Sequence, residues 1–271
     1  MNIESNENDN SAKTSILKFE KIIDKAKHDH WQGKPMGDVL SLVANEFIKT
    51  PYIVGTLDTD TNEKCIVNLI GLDCVTFNET VLGLSRIIKK GKADFKDLTA
   101  EIILIRYRSG IMTDYTSRLH YTAEWIKDIE TKGICKDITK EIGGEKFQLN
   151  VCYMSDHPDL YKALKNNKKF VEVIKQSEIK INSKQHYFIS KERLKNKLVK
   201  FKTGDIVSIA TNKKGLDYAH VGIAIVDNQI VKFIHASYKK KEVSIEPDLD
   251  TYLRDIKSDI GITVVRPLEL N

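Results

Sequence analysis

Leu72-Asp73-Cys74-Val75-Thr76-Phe77, which continues as Asn78-Glu79-Thr80-Val81-Leu82-Gly83-Leu84, is the stretch of sequence that decides the fold. Its apolar residues recur every three or four positions, which predicts a helix over residues 74–90. The unpaired N–H groups and the positive dipole end of a helix's first turn favour a thiolate over a thiol. Cys74 is therefore the candidate nucleophile.

Two histidines far downstream are candidate partners for this cysteine. His220 lies in Ala219-His220-Val221-Gly222-Ile223 and His235 lies in Phe233-Ile234-His235-Ala236-Ser237, both apolar and β-branched segments. The polar pair Asp227-Asn228 between them predicts a hairpin. If that pair forms a two-residue turn, the histidines lie directly opposite each other, with Cβ atoms about 4.5–5.5 Å apart. We then expect His220 to take the cysteine's proton and His235 to hold the His220 ring.

The order of helical and strand patterns predicts an α+β fold. Helical patterns dominate the first part of the chain and strand patterns dominate from residue 187 onward. We expect the nucleophile helix to pack against an antiparallel sheet that carries both histidines. The predicted helices cover residues 15–27, 38–48, 74–90, 94–107, 121–131 and 159–176, and the predicted strands cover residues 147–153, 187–189, 205–210, 220–226, 230–235 and 261–265.

The first residues differ in composition from the rest of the chain. Residues 1–14 are polar, are rich in Asn, Glu and Asp, and have no apolar signal core. They predict a disordered leader or the trimmed start of an exported protein. Residues 15–271 are predicted to form a single catalytic domain with helical insertions. No apolar run approaches membrane-spanning length.

The composition of the chain argues against nucleic-acid binding and against a metal site. The sequence has 271 residues, of which 41% are hydrophobic, and 43 basic against 38 acidic residues give a formal charge of +5. Its lysine clusters are not interleaved with aromatic residues, which indicates a solvated surface and no nucleic-acid partner. The cysteines have no CxxC spacing and no short metal-ligand run, so no metal site is expected. Cys65, Cys135 and Cys152 are expected to be buried thiols, with one disulfide among them as the alternative.

Further motifs extend along almost the whole chain. They are Thr50-Pro51-Tyr52-Ile53-Val54-Gly55, Ile105-Arg106-Tyr107-Arg108, Ser117-Arg118-Leu119-His120-Tyr121, Tyr153-Met154-Ser155-Asp156-His157-Pro158, Gly204-Asp205-Ile206-Val207, Gly215-Leu216-Asp217-Tyr218-Ala219-His220-Val221-Gly222 and Gly261-Ile262-Thr263-Val264-Val265-Arg266. These motifs resemble the N-acetylmuramoyl-L-alanine amidase-like family within the NlpC-type, papain-like superfamily of bacterial cell-wall hydrolases. The resemblance spans roughly residues 35 to 267 and implies a papain-like, NlpC-type fold. It also implies hydrolysis, without a cofactor, of the amide between N-acetylmuramic acid (or its anhydro form) and L-alanine in peptidoglycan fragments.

Val75-Thr76 is where the chain departs from the wider superfamily. Most members have Asp-Cys-Ser-Gly around the nucleophile, and that aspartate and serine are associated with binding a free peptide amine. Without the serine, the resemblance favours a substrate whose alanine nitrogen is acylated by the sugar. Asp73 is expected to support the active site, although its role stays open. The resemblance also places Tyr52 beside Cys74, where a phenol can donate to an oxyanion together with the Cys74 N–H.

A central polar segment supplies candidate substrate-binding residues. Arg118, His120 and Tyr121 lie on a loop that leads into a predicted helix, and Trp125 follows one turn later. A guanidinium binds a carboxylate through two parallel hydrogen bonds, and muropeptides carry carboxylates. The faces of Tyr121 and Trp125 can stack on sugar rings. The alternative is that Arg118 is a structural ion-pair residue and Trp125 belongs to the core.

The sequence therefore predicts a cysteine amidase that acts on muropeptides, with Cys74, His220 and His235 as its catalytic residues. An endopeptidase that cuts stem-peptide bonds would share these residues. A zinc hydrolase would use the same three as ligands, but no acidic general base is evident near them. A non-catalytic wall-binding module would not need the nucleophile. The resemblance implies export or a periplasmic location, with the cytoplasm left open.

Overall fold

A computed structural model describes residues 3–58 and 62–270, with most helices early in the chain and most strands late. This distribution confirms the predicted α+β class. The α-helices are α1 (Ile3–His28), α2 (Met36–Asn45), α3 (Cys74–Lys89), α4 (Phe95–Arg106), α5 (Thr122–Thr131), α6 (Tyr153–Asp156), α7 (Lys168–Asn182), α8 (Lys191–Leu194) and α9 (Leu249–Arg254). The strands are β1 (Cys135–Asp137), β2 (Glu145–Phe147), β3 (His186–Ser190), β4 (Ile206–Thr211), β5 (Tyr218–Asp227), β6 (Ile230–Ser237), β7 (Glu242–Glu246) and β8 (Asp259–Pro267).

The strands of the described chain form one antiparallel sheet in the order β2-β3-β8-β4-β5-β6-β7, and β1 pairs with β8 beside this path. The central strand β4 is buried along its whole length. Its Ile206 and Ala210 belong to the larger core with the early helices, whereas Val207 and Ile209 belong to a smaller core with α8 and α9. Because both faces of β4 are covered, its sequence is almost continuously apolar.

Helix α3 lies inside the larger core. The side chains of residues 76–88 are all buried, so protein surrounds the helix over most of its length. It packs against α2 and α4 and against β5 and β6. Its buried charges are paired, Glu79 with Arg106 at 2.8 Å and Arg86 with Glu101 at 2.7 Å. A buried charge without a partner is costly, so these pairs are what allow charged residues of α3 to enter the core.

A capping box starts α3 at Asp73. The Asp73 carboxylate accepts a hydrogen bond from the Thr76 N–H at 2.8 Å, and the Thr76 hydroxyl accepts one from the Asp73 N–H at 2.9 Å. These bonds satisfy N–H groups that have no partner within the helix. Cys74 is therefore the first helical residue, as the sequence predicts.

Strands β5 and β6 form the predicted hairpin in a different register. The two-residue turn consists of Asn228 and Gln229, with φ of 48° and 71°, and Ile223 pairs with Ile234. The predicted turn one residue earlier is wrong, because hairpin turns with positive φ at both central residues match the twist of the strands. The pairing moves by two residues. His220 and His235 therefore share a face, as expected, but lie diagonally across it.

Other differences from the prediction lie between the two halves of the chain. The predicted strand over residues 147–153 is mostly wrong, since β2 ends at Phe147 and α6 begins at Tyr153. The predicted helix over residues 159–176 begins only at Lys168, because Asn166 has a positive φ of 62° that interrupts helical backbone. Strands β1 and β7 were not predicted.

Helix α1 extends into the residues for which a leader is predicted. Helix α1 begins at Ile3, so residues 3–14 are helical, while residues 1 and 2 of the predicted leader lie outside the described residues. Phe19, Ile22 and Ile23 of α1 are buried in the larger core. Once this part of the helix is anchored, each further residue adds a backbone hydrogen bond without a new nucleation cost.

Replacing Thr76 by Val removes the capping hydroxyl and keeps the shape of the side chain. We expect the free energy of unfolding to fall by about 1 kcal/mol, which is typical for loss of an N-terminal cap. Ser85→Ala is the matched control, because the Ser85 hydroxyl only adds a 2.7 Å bond to the Val81 carbonyl within the same helix. Urea unfolding curves measure both variants, and equal losses would contradict the capping role.

Candidate active site

One pocket brings most of the predicted site residues together. Its volume is about 310 Å³. Cys74 enters it from the start of α3 and His220 enters it from β5, and these two elements pack against each other. The predicted site residues in its lining are Asp73, Cys74, Arg118, His120, Tyr121 and His220.

A chain of three hydrogen-bonded side chains leads away from the pocket. His220 Nε2 lies 2.5 Å from His235 Nδ1, and His235 Nε2 lies 3.2 Å from Glu246 Oε1. The same Glu246 oxygen is 2.7 Å from Lys240 Nζ. His235 is only 1% exposed, so its ring nitrogens depend on these protein partners. Glu246 is the last residue of β7 and is not among the site residues predicted from the sequence.

This chain determines which ring nitrogens carry protons. Burial opposes the charge of Glu246, but hydrogen bonds from Lys240 and His235 hold the pKa of Glu246 below its usual value. Glu246 is therefore a carboxylate that can only accept, so His235 donates from Nε2 and accepts at Nδ1. His220 must then donate from Nε2, which leaves its Nδ1 unprotonated. That nitrogen is available as a base.

Both histidines are neutral at pH 7. Burial, together with the neighbouring His235, lowers the pKa of His220 to about 3. Burial also lowers the pKa of His235, although the hydrogen bond and charge of Glu246 oppose this effect. The hydrogen bonds that join Glu246 to His235 and His235 to His220 require one proton on each imidazole ring, so both rings must be neutral.

Cys74 is a thiol at rest. Burial, with the charge of Asp73, raises the pKa of Cys74 to about 12, although the backbone N–H groups of Val221, Cys74 and Val75 face the sulfur and lower it. Burial therefore outweighs the N–H groups of the helix start, which on their own favour the thiolate. The proton must leave the sulfur during attack on a substrate.

Tyr52 lies near the nucleophile as a neutral phenol. Burial, and then the neighbouring Cys74 sulfur and Asp73 carboxylate, raise the pKa of Tyr52 well above its usual value. A hydrogen bond from the Tyr52 N–H to the Lys241 carbonyl at 2.9 Å fixes its backbone, and its ring meets Tyr238 edge-on at 5.6 Å. The phenol therefore keeps its proton and can act as a hydrogen-bond donor.

Arg118 lines the pocket, but its guanidinium has protein partners. It donates from Nε to Glu63 at 2.6 Å, from Nη1 to Asp58 at 2.8 Å and from Nη2 to the Leu57 carbonyl at 2.8 Å. These contacts match the structural ion-pair alternative for Arg118. A substrate carboxylate would compete with two carboxylates that already bind it. Arg118 therefore holds the pocket wall in place.

His120 and Tyr121 are anchored in the same wall. His120 Nε2 donates to the Tyr115 carbonyl at 2.8 Å, and burial lowers the pKa of His120 to about 4. The Tyr121 hydroxyl donates to Glu178 at 2.7 Å and accepts a backbone N–H at 2.9 Å. Trp125 is buried, with 7% of its surface exposed, and is absent from the lining of this pocket.

Asp217 lines the pocket and is not among the site residues predicted from the sequence. Its carboxylate accepts hydrogen bonds from the Ala123 N–H at 2.8 Å and the Tyr218 N–H at 2.7 Å, and burial raises the pKa of Asp217 to about 6. It thereby caps the start of α5 from the segment that leads into β5. Asp217 lies three residues before His220 in the motif of residues 215–222, and this position is the sequence feature that could have identified it as a site residue.

The described residues offer no evident metal site. Within residues 3–58 and 62–270, no group of three or more His, Cys, Asp or Glu side chains is placed to hold a metal ion. Cys65, Cys74, Cys135 and Cys152 are free thiols. None of the helices in this part of the chain combines the length and apolar composition needed to cross a membrane.

Comparison with known protein families identifies the family to which the chain belongs. It matches the AmiA-like family, described as N-acetylmuramoyl-L-alanine amidase-like, over residues 42–262. The chain belongs to this family. The matched region includes Cys74, His220, His235 and Glu246, and it confirms the amidase-like resemblance of the motifs. No curated protein matches the sequence.

Several solved structures share the fold of this chain. An N-acetylmuramoyl-L-alanine amidase from Bacteroides uniformis is 33% identical, covering 86% of this chain and 99% of its own, with a TM-score of 0.82. A proposed xylanase from Bacteroides fragilis is 36% identical, covering 83% of this chain and 99% of its own, with a TM-score of 0.79. A protein from Legionella pneumophila is 21% identical, covering 95% of this chain and 96% of its own, with a TM-score of 0.72. The wider NlpC-type, papain-like placement stays a prediction.

Acid is expected to destabilise the folded chain through its buried histidines. Below about pH 6.5 an unfolded histidine takes up a proton that folded His220 and His120, with pKa values of about 3 and about 4, do not. Because the unfolded state binds more protons, stability should fall as the pH decreases from about 6.5 to 4. Each histidine lowers the free energy of unfolding by up to about 1.4 kcal/mol for each pH unit in this range.

Urea unfolding at a series of pH values measures this dependence. His120→Gln should flatten the slope, because the variant has no ring to protonate at that position. His28→Gln is the control, since 88% of the His28 side chain is exposed. A His120→Gln variant whose stability falls as steeply as that of the unmodified chain would contradict the assignment.

Proposed function

We propose that the protein is a cysteine amidase that hydrolyses the bond between the lactyl group of N-acetylmuramic acid and L-alanine in peptidoglycan fragments. The observation that carries this proposal is the hydrogen-bonded chain Glu246–His235–His220 at the pocket that also contains Cys74. The amidase-like family supplies the substrate class. An NlpC-type, papain-like mechanism and an exported or periplasmic location are part of the same proposal.

Attack begins with proton transfer to His220. The unprotonated Nδ1 of His220 takes the proton of the Cys74 thiol as the sulfur bonds to the carbonyl carbon of the lactyl group. The carbonyl oxygen becomes an oxyanion, to which the Cys74 N–H and the neutral Tyr52 hydroxyl donate. His220 becomes an imidazolium, and its Nε2–H bond to His235 is kept throughout.

Collapse of this intermediate releases the peptide. His220 returns its proton from Nδ1 to the L-alanine nitrogen, the C–N bond breaks, and a thioester remains on Cys74. His220 then takes a proton from water, whose oxygen attacks the thioester carbon. The carbon–sulfur bond breaks, His220 returns its proton to the Cys74 sulfur, and the lactyl carboxylic acid leaves and loses its proton to solvent. His235 and Glu246 act as positioning residues, since they reach the reacting atoms only through His220.

The start of α3 favours an acylated alanine over a free amine. An endopeptidase would need the Asp73 carboxylate to bind the amine at the end of its substrate. In this chain Asp73 Oδ1 accepts hydrogen bonds from both the N–H and the hydroxyl of Thr76, each at 2.8 Å. The capping bonds hold Asp73 to its own helix, which supports the amidase over the endopeptidase.

Two rival chemistries fit the contacts less well. Zinc bound by Cys74, His220 and His235 would have to displace a present hydrogen-bond partner from either ring nitrogen of His235. A glycosidase, which the Bacteroides fragilis protein is proposed to be, needs two carboxylates that face the sugar. The pocket's three carboxylates have other partners: Asp58 pairs with Arg118, Asp73 caps α3, and Asp217 accepts backbone N–H groups.

A digest of defined muropeptides, followed by mass spectrometry, tests the reaction. From an anhydro-muropeptide we expect free anhydro-sugar and intact stem peptide, and no product with Cys74→Ala, because no other group can form the thioester. Strong chelators should leave the rate unchanged. Cys135→Ala is the matched control, since Cys135 is a buried thiol in β1 outside the pocket lining. Cleavage within the stem peptide would overturn the bond assignment, and loss with chelator followed by recovery with zinc would overturn the thiol mechanism.

Glu246→Gln should lower kcat by about 10- to 100-fold with little change in KM. A glutamine amide can donate as well as accept, so it no longer enforces the proton pattern, and the loss should be smaller than the ~10⁴ seen when a group that directly orients the base is changed. Glu242→Gln is the control, because Glu242 lies on the same strand and pairs with Lys49 at 2.7 Å. Equal kcat values for the two variants would remove Glu246 from the mechanism.

A further inference from the structure

A smaller chamber adjoins the active-site pocket. Its volume is about 40 Å³, enough for about three water-sized groups. It shares Val75, His120, Thr122 and Val221 with the lining of the pocket, so the two spaces are separated by common walls. The mechanism above gives this chamber no role.

Two buried polar atoms in the walls of the chamber have no protein partner. In the part of the chain that the structure describes, Asn78 Oδ1 and Trp125 Nε1 are fully buried and make no hydrogen bond. Asn78 is 3% exposed and Trp125 is 7% exposed, and both side chains line the chamber. One atom is an acceptor and the other is a donor. Buried polar groups are normally paired, so this pair indicates a ligand that offers both a donor and an acceptor.

The chamber lies within reach of the reacting bond. Asn78 is four residues after Cys74 on α3, and residues at this spacing are neighbours on one helix face, with Cβ atoms about 5–6 Å apart. In a muramoyl substrate the 2-acetamido group is on the ring carbon next to the one that bears the lactyl ether. A substrate whose lactyl carbonyl meets Cys74 therefore holds its acetamido group about one helical turn away.

We propose that this chamber binds the 2-acetamido group of the muramoyl sugar, an inference that depends on the proposed function. The acetamido N–H donates to Asn78 Oδ1, and its carbonyl accepts from Trp125 Nε1. The methyl group meets the apolar side chains of Val75, Leu119 and Val221. The lactyl or alanine methyl groups are poorer candidates, because a methyl group would leave both polar atoms unpaired.

The kinetic test compares two substrates that differ only in the acetyl group. One is an N-acetylmuramoyl-L-alanyl peptide, and the other is the same molecule with a free 2-amine. Trp125→Phe, which removes the donor and keeps a ring, should lower kcat/KM for the acetylated substrate by about tenfold. It should change kcat/KM for the amine by less than about twofold, because no bond to Trp125 is lost. Asn78→Leu should likewise lower kcat/KM more for the acetylated substrate than for the amine.

Trp31→Phe is the matched control, because Trp31 is also a buried tryptophan but packs in the core away from both spaces. It should leave both rates unchanged. If Trp125→Phe lowers the two rates by the same factor, the chamber only shapes the pocket or holds water, and the proposal is overturned.

A binding measurement separates this proposal from the amidase assignment. The sequence contains two tryptophans, so the double variant Cys74→Ala, Trp31→Phe reports emission from Trp125 alone. Titration with N-acetylmuramic acid should change this emission, whereas titration with muramic acid should not. Absence of a difference would overturn the chamber assignment. An emission change without cleavage of the muramoyl–alanine bond by the unmodified enzyme would instead contradict the proposed function and support the chamber.

Discussion

The hydrogen bond between His220 Nε2 and His235 Nδ1, at 2.5 Å, is the contact on which the candidate site depends. It exists because the Asn228-Gln229 turn sets a hairpin register that puts both rings on one face of the sheet. Along its other edge β6 pairs with β7, whose last residue Glu246 contacts Nε2 of His235. The pairing of the strands thus positions Glu246, His235 and His220 so that their hydrogen bonds determine which ring nitrogens carry protons. His220 Nδ1 is left unprotonated and can act as a base.

Around this pair the structure holds the pocket with buried polar contacts. The cap at Asp73 fixes the first turn that carries Cys74, Asp217 ties the start of α5 to the segment before His220, and Arg118 binds Asp58 and Glu63. The cap is local, whereas the contacts of Asp217 and Arg118 join segments that are distant in sequence. Because these contacts are already formed before the substrate binds, the pocket does not have to rearrange during the reaction. Such preorganisation lowers the activation barrier.

The sequence was informative where local patterns determine structure. The helix from Cys74, the hairpin and the α+β order follow from apolar periodicity and capping, which depend on near neighbours. The hairpin register depended on one turn residue, so it was missed by two positions. Glu246 and the partners of Arg118 arise from tertiary pairing, which the order of residues does not reveal. The pKa of Cys74 depends on burial, a property of the whole fold that outweighs the effect of the helix start and that the order of residues does not reveal.

The protonation of the two histidine rings is the most direct measurement of the central claim. Nitrogen-15 NMR of selectively labelled histidines at pH 7, with His220→Gln and His235→Gln used for assignment, reports each ring nitrogen separately. The structure predicts neutral rings with the proton on Nε2 in both His220 and His235, and an unprotonated Nδ1 on His220. A proton on His220 Nδ1, or a doubly protonated His220 beside a Cys74 thiolate, would contradict it.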